Sequence, residues 1–165
     1  MAKKIILDTS AFLSGFDLTK NNQYVTTTEV YSELKNEITR LSAGIAVEEG
    51  WLKIIHPSKQ NMKAIEIKVM ETGEQHSLSN ADKSILAAAL EEKENGADIE
   101  IVTDDYGIQN VAKQLSLNYT PILEKGIKKQ INWHFVCRGC GSTFEKNILI
   151  CNECGNPVKK RSKRE

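Results

Sequence analysis

The chain has 165 residues, four cysteines and a formal net charge of zero. That length holds one ordinary domain and a mini-domain, and no run approaches the roughly 20 apolar residues of a membrane span. The neutrality hides a split. Residues 1–122 carry 12 Lys+Arg against 18 Asp+Glu, a net of −6, while residues 123–165 carry 10 against 4, a net of +6. An acidic body with a basic appendage suggests one half that holds cations and another that meets a polyanion.

The N-terminal Met1-Ala2-Lys3-Lys4 runs into Ile5-Ile6-Leu7 and then Asp8. That apolar stretch is too short for a signal peptide and predicts a buried first strand. Tyr24-Val25-Thr26 predicts a second. Thr26-Thr27-Thr28-Glu29 has the form of a capping box and opens a helix to about Leu41. Gly44 to Gly50 reads as a short helix, and Trp51 to Ile55 as an extended piece stopped by Pro57. From Ser58 to Glu71, Met62, Ile65, Val69 and Met70 recur at helical spacing. Ser79-Asn80-Ala81-Asp82 is a second capping box, ahead of an Ala-rich helix that stops near Asn95-Gly96. Ile99 to Val102 predicts a strand, Tyr106 to Leu115 a helix, and Asn118 to Ile122 a last, edge strand. Strand–helix alternation implies an α/β fold with a largely parallel sheet flanked by helices. Residues 1–122 form that body and 123–132 read as a linker.

All four cysteines lie in two matching knuckles, Cys137-Arg138-Gly139-Cys140-Gly141 and Cys151-Asn152-Glu153-Cys154-Gly155. This is the spacing of a tetrahedral four-cysteine zinc ribbon, here over residues 133–158. The alternative, two disulfides, would need an oxidising compartment, and nothing in the chain looks secreted. A segment this small cannot bury a sufficient core, so one structural zinc must supply its folding energy. Residues 159–165 form a basic tail that is also explicable as a solubilising end. Trp133, Arg138, Lys146, Lys159, Lys160 and Arg161 are candidates for RNA, aromatics stacking on bases and cations meeting phosphates. Phe135 and Phe144 are better placed in the ribbon core. His56 and His76 read as surface residues, and His134 as part of the ribbon surface rather than a fifth ligand.

The body's chemistry lies in its acids. Asp8 directly follows the first strand, and Asp104 and Asp105 follow Ile99–Val102 with Thr103 between. Ligands of an open parallel sheet bind beyond the carboxyl ends of its strands. Asp82 stands at the start of the Ala-rich helix, and Glu33 lies four residues after Glu29 on its helix. Each acid also has an ordinary explanation: Asp82 as a cap, Glu33 as a solvated helix face, Asp104-Asp105 as a turn. Gathering several carboxylates without a cation is unfavourable, and such oxygen clusters suit Mg²⁺ or Mn²⁺. No P-loop, H-E-x-x-H or G-x-S-x-G motif is present.

Asp8-Thr9-Ser10-Ala11-Phe12-Leu13, Glu29-Val30-x-x-Glu33, Leu78-Ser79-x-x-Asp82-x-x-Ile85-Leu86-Ala87 and Val102-Thr103-x-Asp105 resemble, in order, the acidic motifs of PIN-domain nucleases. With Asp105-Tyr106-Gly107-Ile108-Gln109-Asn110-Val111 and the two knuckles, nearly the whole chain is similar to the archaeal Nin-one-binding endonuclease family, which matures the 3′ end of small-subunit ribosomal RNA. The resemblance implies a PIN fold and a single-strand endoribonuclease. It also implies Mn²⁺ or Mg²⁺ on Asp8, Glu33, Asp82 and Asp105, with Asp104 the competitor for the fourth place. Thr9 and Ser10 would bond a phosphate or a metal-bound water. Expected partners are the ribosomal RNA precursor, the pre-ribosomal small subunit and its assembly factors, and the expected location is the cytoplasm. The rivals are a non-catalytic RNA-binding assembly factor, a toxin-like PIN ribonuclease acting on tRNA or mRNA, and a polymerase-docked zinc ribbon.

Overall fold

The computed structural model describes residues 3–18, 22–122 and 133–162. Its larger part is a five-stranded sheet of β1 (Lys4–Leu7), β2 (Gln23–Thr27), β3 (Leu52–Ile55), β4 (Ile99–Val102) and β5 (Tyr119–Thr120), in the order β3-β2-β1-β4-β5. Every neighbouring pair is parallel, as strand–helix alternation requires. The order reverses between β1 and β4, the place where open parallel sheets bind their ligands.

Successive strand residues point to opposite faces, and both faces are covered. Ile6, Val25, Ile99 and Ile101 pack with residues of α4 (Lys59–Thr72), α5 (Asn80–Glu94) and α6 (Tyr106–Gln114). Ile5, Leu7, Tyr24, Leu52 and Val102 pack on the other face with Ala11 of α1 (Thr9–Leu13) and with Ala43 and Ala46 of α3 (Glu37–Glu48). The Ala-rich stretch of α5 is fully buried, its small side chains letting the helix lie close to the sheet.

All six helices among the described residues start on Asp, Thr, Asn or Ser, and each side chain accepts a backbone N–H of the first turn. These caps correct one expectation. The helix from Thr28 does not run to Leu41: α2 (Thr28–Glu33) ends as Leu34 turns extended. Asn36 then caps α3, accepting the Thr39 N–H at 3.1 Å, and α3 carries Gly44 in its middle. The competing Asn cap interrupts a periodicity that otherwise looks continuous. Glu33 is therefore the last residue of α2. The short α1 lies between Asp8 and Ser14, where no helix was expected. Met70 has helical spacing but is exposed, and Ile65 and Val69 are the buried apolar residues of α4, which packs on α5.

The smaller part is a three-stranded antiparallel sheet of β6 (Trp133–Cys137), β7 (Thr143–Phe144) and β8 (Val158–Ser162), in the order β7-β6-β8. The expected boundary at 158 is displaced, because Lys159, Lys160 and Arg161 are ladder residues of β8 and not a separate tail. The expected linker, 123–132, lies outside the described residues. No helix among the described residues is long and apolar enough to cross a membrane.

Candidate nuclease site and metal-holding ribbon

The register between β1 and β4 pairs Leu7 with Val102, so the next residues, Asp8 and Thr103, leave the sheet side by side. Both are buried. The Thr103 hydroxyl donates to Asp8 Oδ2 at 2.8 Å and accepts the Asp105 N–H at 3.1 Å. One buried hydroxyl thus joins two acids separated by most of the body. Ser10 Oγ also donates to Asp8 Oδ2, at 3.0 Å, and the Thr9 N–H to Oδ1 at 2.6 Å. Burial pushes the Asp8 carboxyl above the ordinary range; donors from Thr103, Ser10 and Thr9 oppose this, and the charge of Asp82 adds to it.

Asp105 caps α6, accepting the Ile108 N–H at 2.9 Å. Burial raises its carboxyl too, with further upward pressure from Asp82 and Glu74. The charge of Asp82 acts on both Asp8 and Asp105, which leave the sheet at the rim where its strand order reverses. Asp82 also completes the expected capping box, its Oδ2 accepting the Ser79 N–H at 2.6 Å. Glu33 is exposed and reaches the rim through the Thr9 hydroxyl, 3.4 Å from its Oε2. Asp104 is oriented differently: its Oδ1 accepts the Ile122 N–H at 2.7 Å beyond β5, and its own N–H donates to Ser10 Oγ at 3.2 Å. Asp82 and Asp105 thus keep the ordinary capping roles the sequence allowed them.

Two positioning residues went unassigned in the sequence. Thr103 stood within the Val102-Thr103-x-Asp105 motif, but nothing in the motif says that its hydroxyl bonds Asp8. Gly107 has ordinary helical backbone, but a Cβ there would lie 2.8 Å from Leu78 Cδ2 and 3.0 Å from Asp105 Oδ1. The absent side chain leaves the Asp105 carboxylate its place, a requirement visible only in three dimensions.

The donors on the rim are carboxylate and hydroxyl oxygens, the set that hard divalent cations take. They do not meet at the spacing the thiols do. Among the described residues, the four cysteines are the only group of three or more potential ligands whose atoms all lie within 4.8 Å of one another. Cys137 and Cys154 Sγ are 3.3 Å apart, and Cys140 and Cys151 Sγ 3.6 Å. A tetrahedron with Zn–S bonds of about 2.3 Å has edges of about 3.8 Å, whereas a disulfide needs about 2.05 Å. The thiols are arranged for a metal, and all four are free. The Gly139 N–H donates to Cys137 Sγ at 3.3 Å. The side chain and backbone of Asn156 lower the Cys154 thiol to about 6, whereas burial raises the Cys151 thiol to about 11.

The candidate RNA residues divide by strand parity. Lys159 and Arg161 pair with Val136 and His134, and their side chains are exposed. Lys160, paired with Phe135, points the other way, towards the body. Its ammonium lies 4.3 Å from the Trp133 ring centre, and the Trp133 indole N–H donates to Glu74 of the body at 2.7 Å. Trp133 and Lys160 are therefore engaged in docking the ribbon. Arg138 and Lys146 are exposed, Thr9 and Ser10 partly so, and Phe135 is buried as expected.

A parallel sheet with acids gathered where its strand order reverses, joined to a four-cysteine ribbon, defines a nuclease of the PIN class. The family described as "PIN domain of ribonuclease" matches residues 5–91. The chain is 39% identical over 158 residues to Endoribonuclease Nob1 of Pyrococcus abyssi, covering 94% of this chain and 92% of that protein. It is 34% identical over 151 residues to Endoribonuclease Nob1 of Archaeoglobus fulgidus, covering 92% and 86%. It is also 33% identical over 155 residues to Ribonuclease VapC1 of Thermoplasma acidophilum, covering 94% and 76%. The chain belongs to the PIN-domain ribonucleases and, within them, to the Nob1 endoribonuclease family.

Proposed function

We propose that this protein is a metal-dependent, single-strand endoribonuclease that cuts the small-subunit ribosomal RNA precursor to form its mature 3′ end. The observation that supports the reading best is the buried Thr103 hydroxyl, which ties Asp8 and Asp105 together at the reversal of strand order. Asp8, Glu33, Asp82 and Asp105 would hold one or two Mn²⁺ or Mg²⁺ ions. A cation held there supplies Lewis-acid stabilisation of the phosphodiester and acidifies a bound water. Asp8 and Asp105 need that countercharge, because burial and Asp82 disfavour their ionised forms. The Thr9 and Ser10 hydroxyls, which donate to Glu33 and Asp8, would orient a phosphate oxygen only by exchanging those bonds, and a bound water by accepting from it. In-line attack by water with departure of the 3′ oxygen leaves a 3′-hydroxyl on one fragment and a 5′-phosphate on the other.

The four cysteines would hold one structural zinc. Arg138, Lys146, Lys159 and Arg161 on the ribbon would meet phosphates, giving binding that weakens steeply with salt. The precursor subunit and its assembly factors are the proposed partners, in the cytoplasm. The test is incubation with a small-subunit rRNA precursor, with and without Mn²⁺, mapping both new ends. A single Mn²⁺-dependent cut at the mature 3′ end is expected, and its loss in Asp8→Asn. A second reading, a PIN ribonuclease acting on tRNA or mRNA, draws on the likeness to Ribonuclease VapC1. Faster cleavage of tRNA or mRNA than of the precursor would favour it.

A further inference from the structure

Glu74 is an acid that the nuclease reading does not use. It follows Gly73 at the end of α4 and is buried, 5% exposed. A buried carboxylate must be surrounded by donors, and those of Glu74 come from four places. Oε1 accepts Nδ2 of Asn110, on α6, at 3.0 Å and Nε1 of Trp133, on β6, at 2.7 Å. Oε2 accepts the Ser77 hydroxyl, and Lys160 Nζ, from β8, lies 3.6 Å away. Two of these donors belong to the body and two to the ribbon. Gly73 completes the contact: a Cβ there would stand 2.9 Å from Trp133 Cβ, 3.3 Å from Lys160 Cε and 3.4 Å from Phe135 Cζ. Asn110 sits on the helix that Asp105 caps, so the carboxylate that receives the ribbon also anchors an element of the acid rim.

We propose that Gly73 and Glu74 form the seat of the ribbon, and that Glu74 is a positioning residue fixing the exposed Lys159 and Arg161 face in one orientation relative to the acids. This rests on the nuclease reading for its consequence in RNA cleavage, though not for the seat. Removing one partner of a buried charge is costly because the charge stays behind unpaired. The ribbon's attachment is therefore sensitive to single changes at Trp133 and Lys160. With the seat broken, the ribbon still binds RNA but no longer presents one phosphodiester to the acids.

The test uses the zinc-loaded full chain. Substitution at Glu74 risks the fold of the body, so the main variant is the ribbon-side pair Trp133→Phe with Lys160→Met, which keeps both apolar contacts and removes both donors. Backbone ¹⁵N relaxation should show body and ribbon tumbling as one unit in the wild type, and the ribbon reorienting faster in the variant, with both halves folded. Cleavage in Mn²⁺ should spread from one phosphodiester to several. KM should rise about tenfold with little change in kcat, as expected when substrate placement is lost and the acids are intact. A variant that tumbles as one body overturns the seat. A released ribbon that leaves cleavage site and KM unchanged overturns the positioning role. If the wild type cuts no RNA, the nuclease reading fails by itself, and relaxation alone then decides whether the seat is real.

Discussion

The body and the ribbon are held together by different means. The body buries apolar residues on both faces of its sheet, in two clusters to which even the short edge strand β5 adds the partly buried Tyr119. In the ribbon, the only buried residues among those described are Phe135, Cys137 and Cys151, two of the three being potential metal ligands. The difference teaches where each half can bear an unfavourable group. The body has a core large enough to carry acids whose ionised forms are disfavoured. The ribbon has no such reserve and depends on its cysteines. Under the proposed function metals would therefore have opposite roles in the two halves: zinc would make the ribbon fold, and a divalent cation would offset the burial of acids the body already carries.

The largest expected effect separates them most sharply. Structural zinc sites contribute apparent folding energies of about 10–16 kcal/mol. Chelation should unfold residues 133–162 and leave the body's amide spectrum folded; loss of all structure at once would show that the halves fold as one unit. A smaller effect is expected in the body, where Mn²⁺ at about 100 times its Kd should add about 2.7 kcal/mol of stability. Calorimetry should show that gain in the wild type and its loss in Asp8→Asn. Next comes Gly107→Ala, which must displace Leu78 or Asp105 and should cost about 1–3 kcal/mol. Where the Asp105 carboxylate is what gives way, cleavage should fall further than that loss explains, and Asp105→Asn should impair cleavage more than Asp104→Asn. The opposite order would give the fourth place to Asp104.

The smallest effect concerns pH. Asp8 is raised in the folded, metal-free protein. Between the ordinary Asp value near 3.9 and the raised one, the unfolded chain has already lost a proton that the folded chain keeps. Wild-type stability should therefore fall across that window as pH rises. Asp8→Asn removes this contribution, so the stability of the variant relative to wild type should grow as pH passes through the window and then level off. A constant difference in chemical-denaturation midpoints would show that Asp8 is not raised.

Most of the sheet was legible because each strand is a short apolar run bounded by turn residues, and the order of acids along the chain pointed to the rim. What was hidden depends on contacts distant in sequence. The Asn36 cap competes with an unbroken helical pattern, so α2 and the start of α3 looked like one helix and the rest of α3, from Gly44, like another. Lys159, Lys160 and Arg161 read as one basic run, and only the pairing of β8 with β6 sends Lys160 inward and its neighbours outward. Thr103 and Gly107 stand in the quoted motifs, but the hydrogen bond and the empty space through which they act on the acids appear only in three dimensions. Glu74 resembles any other glutamate near a helix end until Asn110 and Trp133 are brought to it.

The account rests most on Asp82 serving the rim as well as its helix cap. At this N3 position of the capping box an asparagine side-chain oxygen can still accept the Ser79 N–H but brings no charge to a cation. Asp82→Asn should therefore keep the wild-type circular dichroism spectrum and melting temperature to within a few degrees. Single-turnover cleavage of the rRNA precursor in Mn²⁺ should meanwhile fall by about two orders of magnitude or more. A folded Asp82→Asn that cleaves at the wild-type rate would make Asp82 a cap alone and contradict the shared acid site.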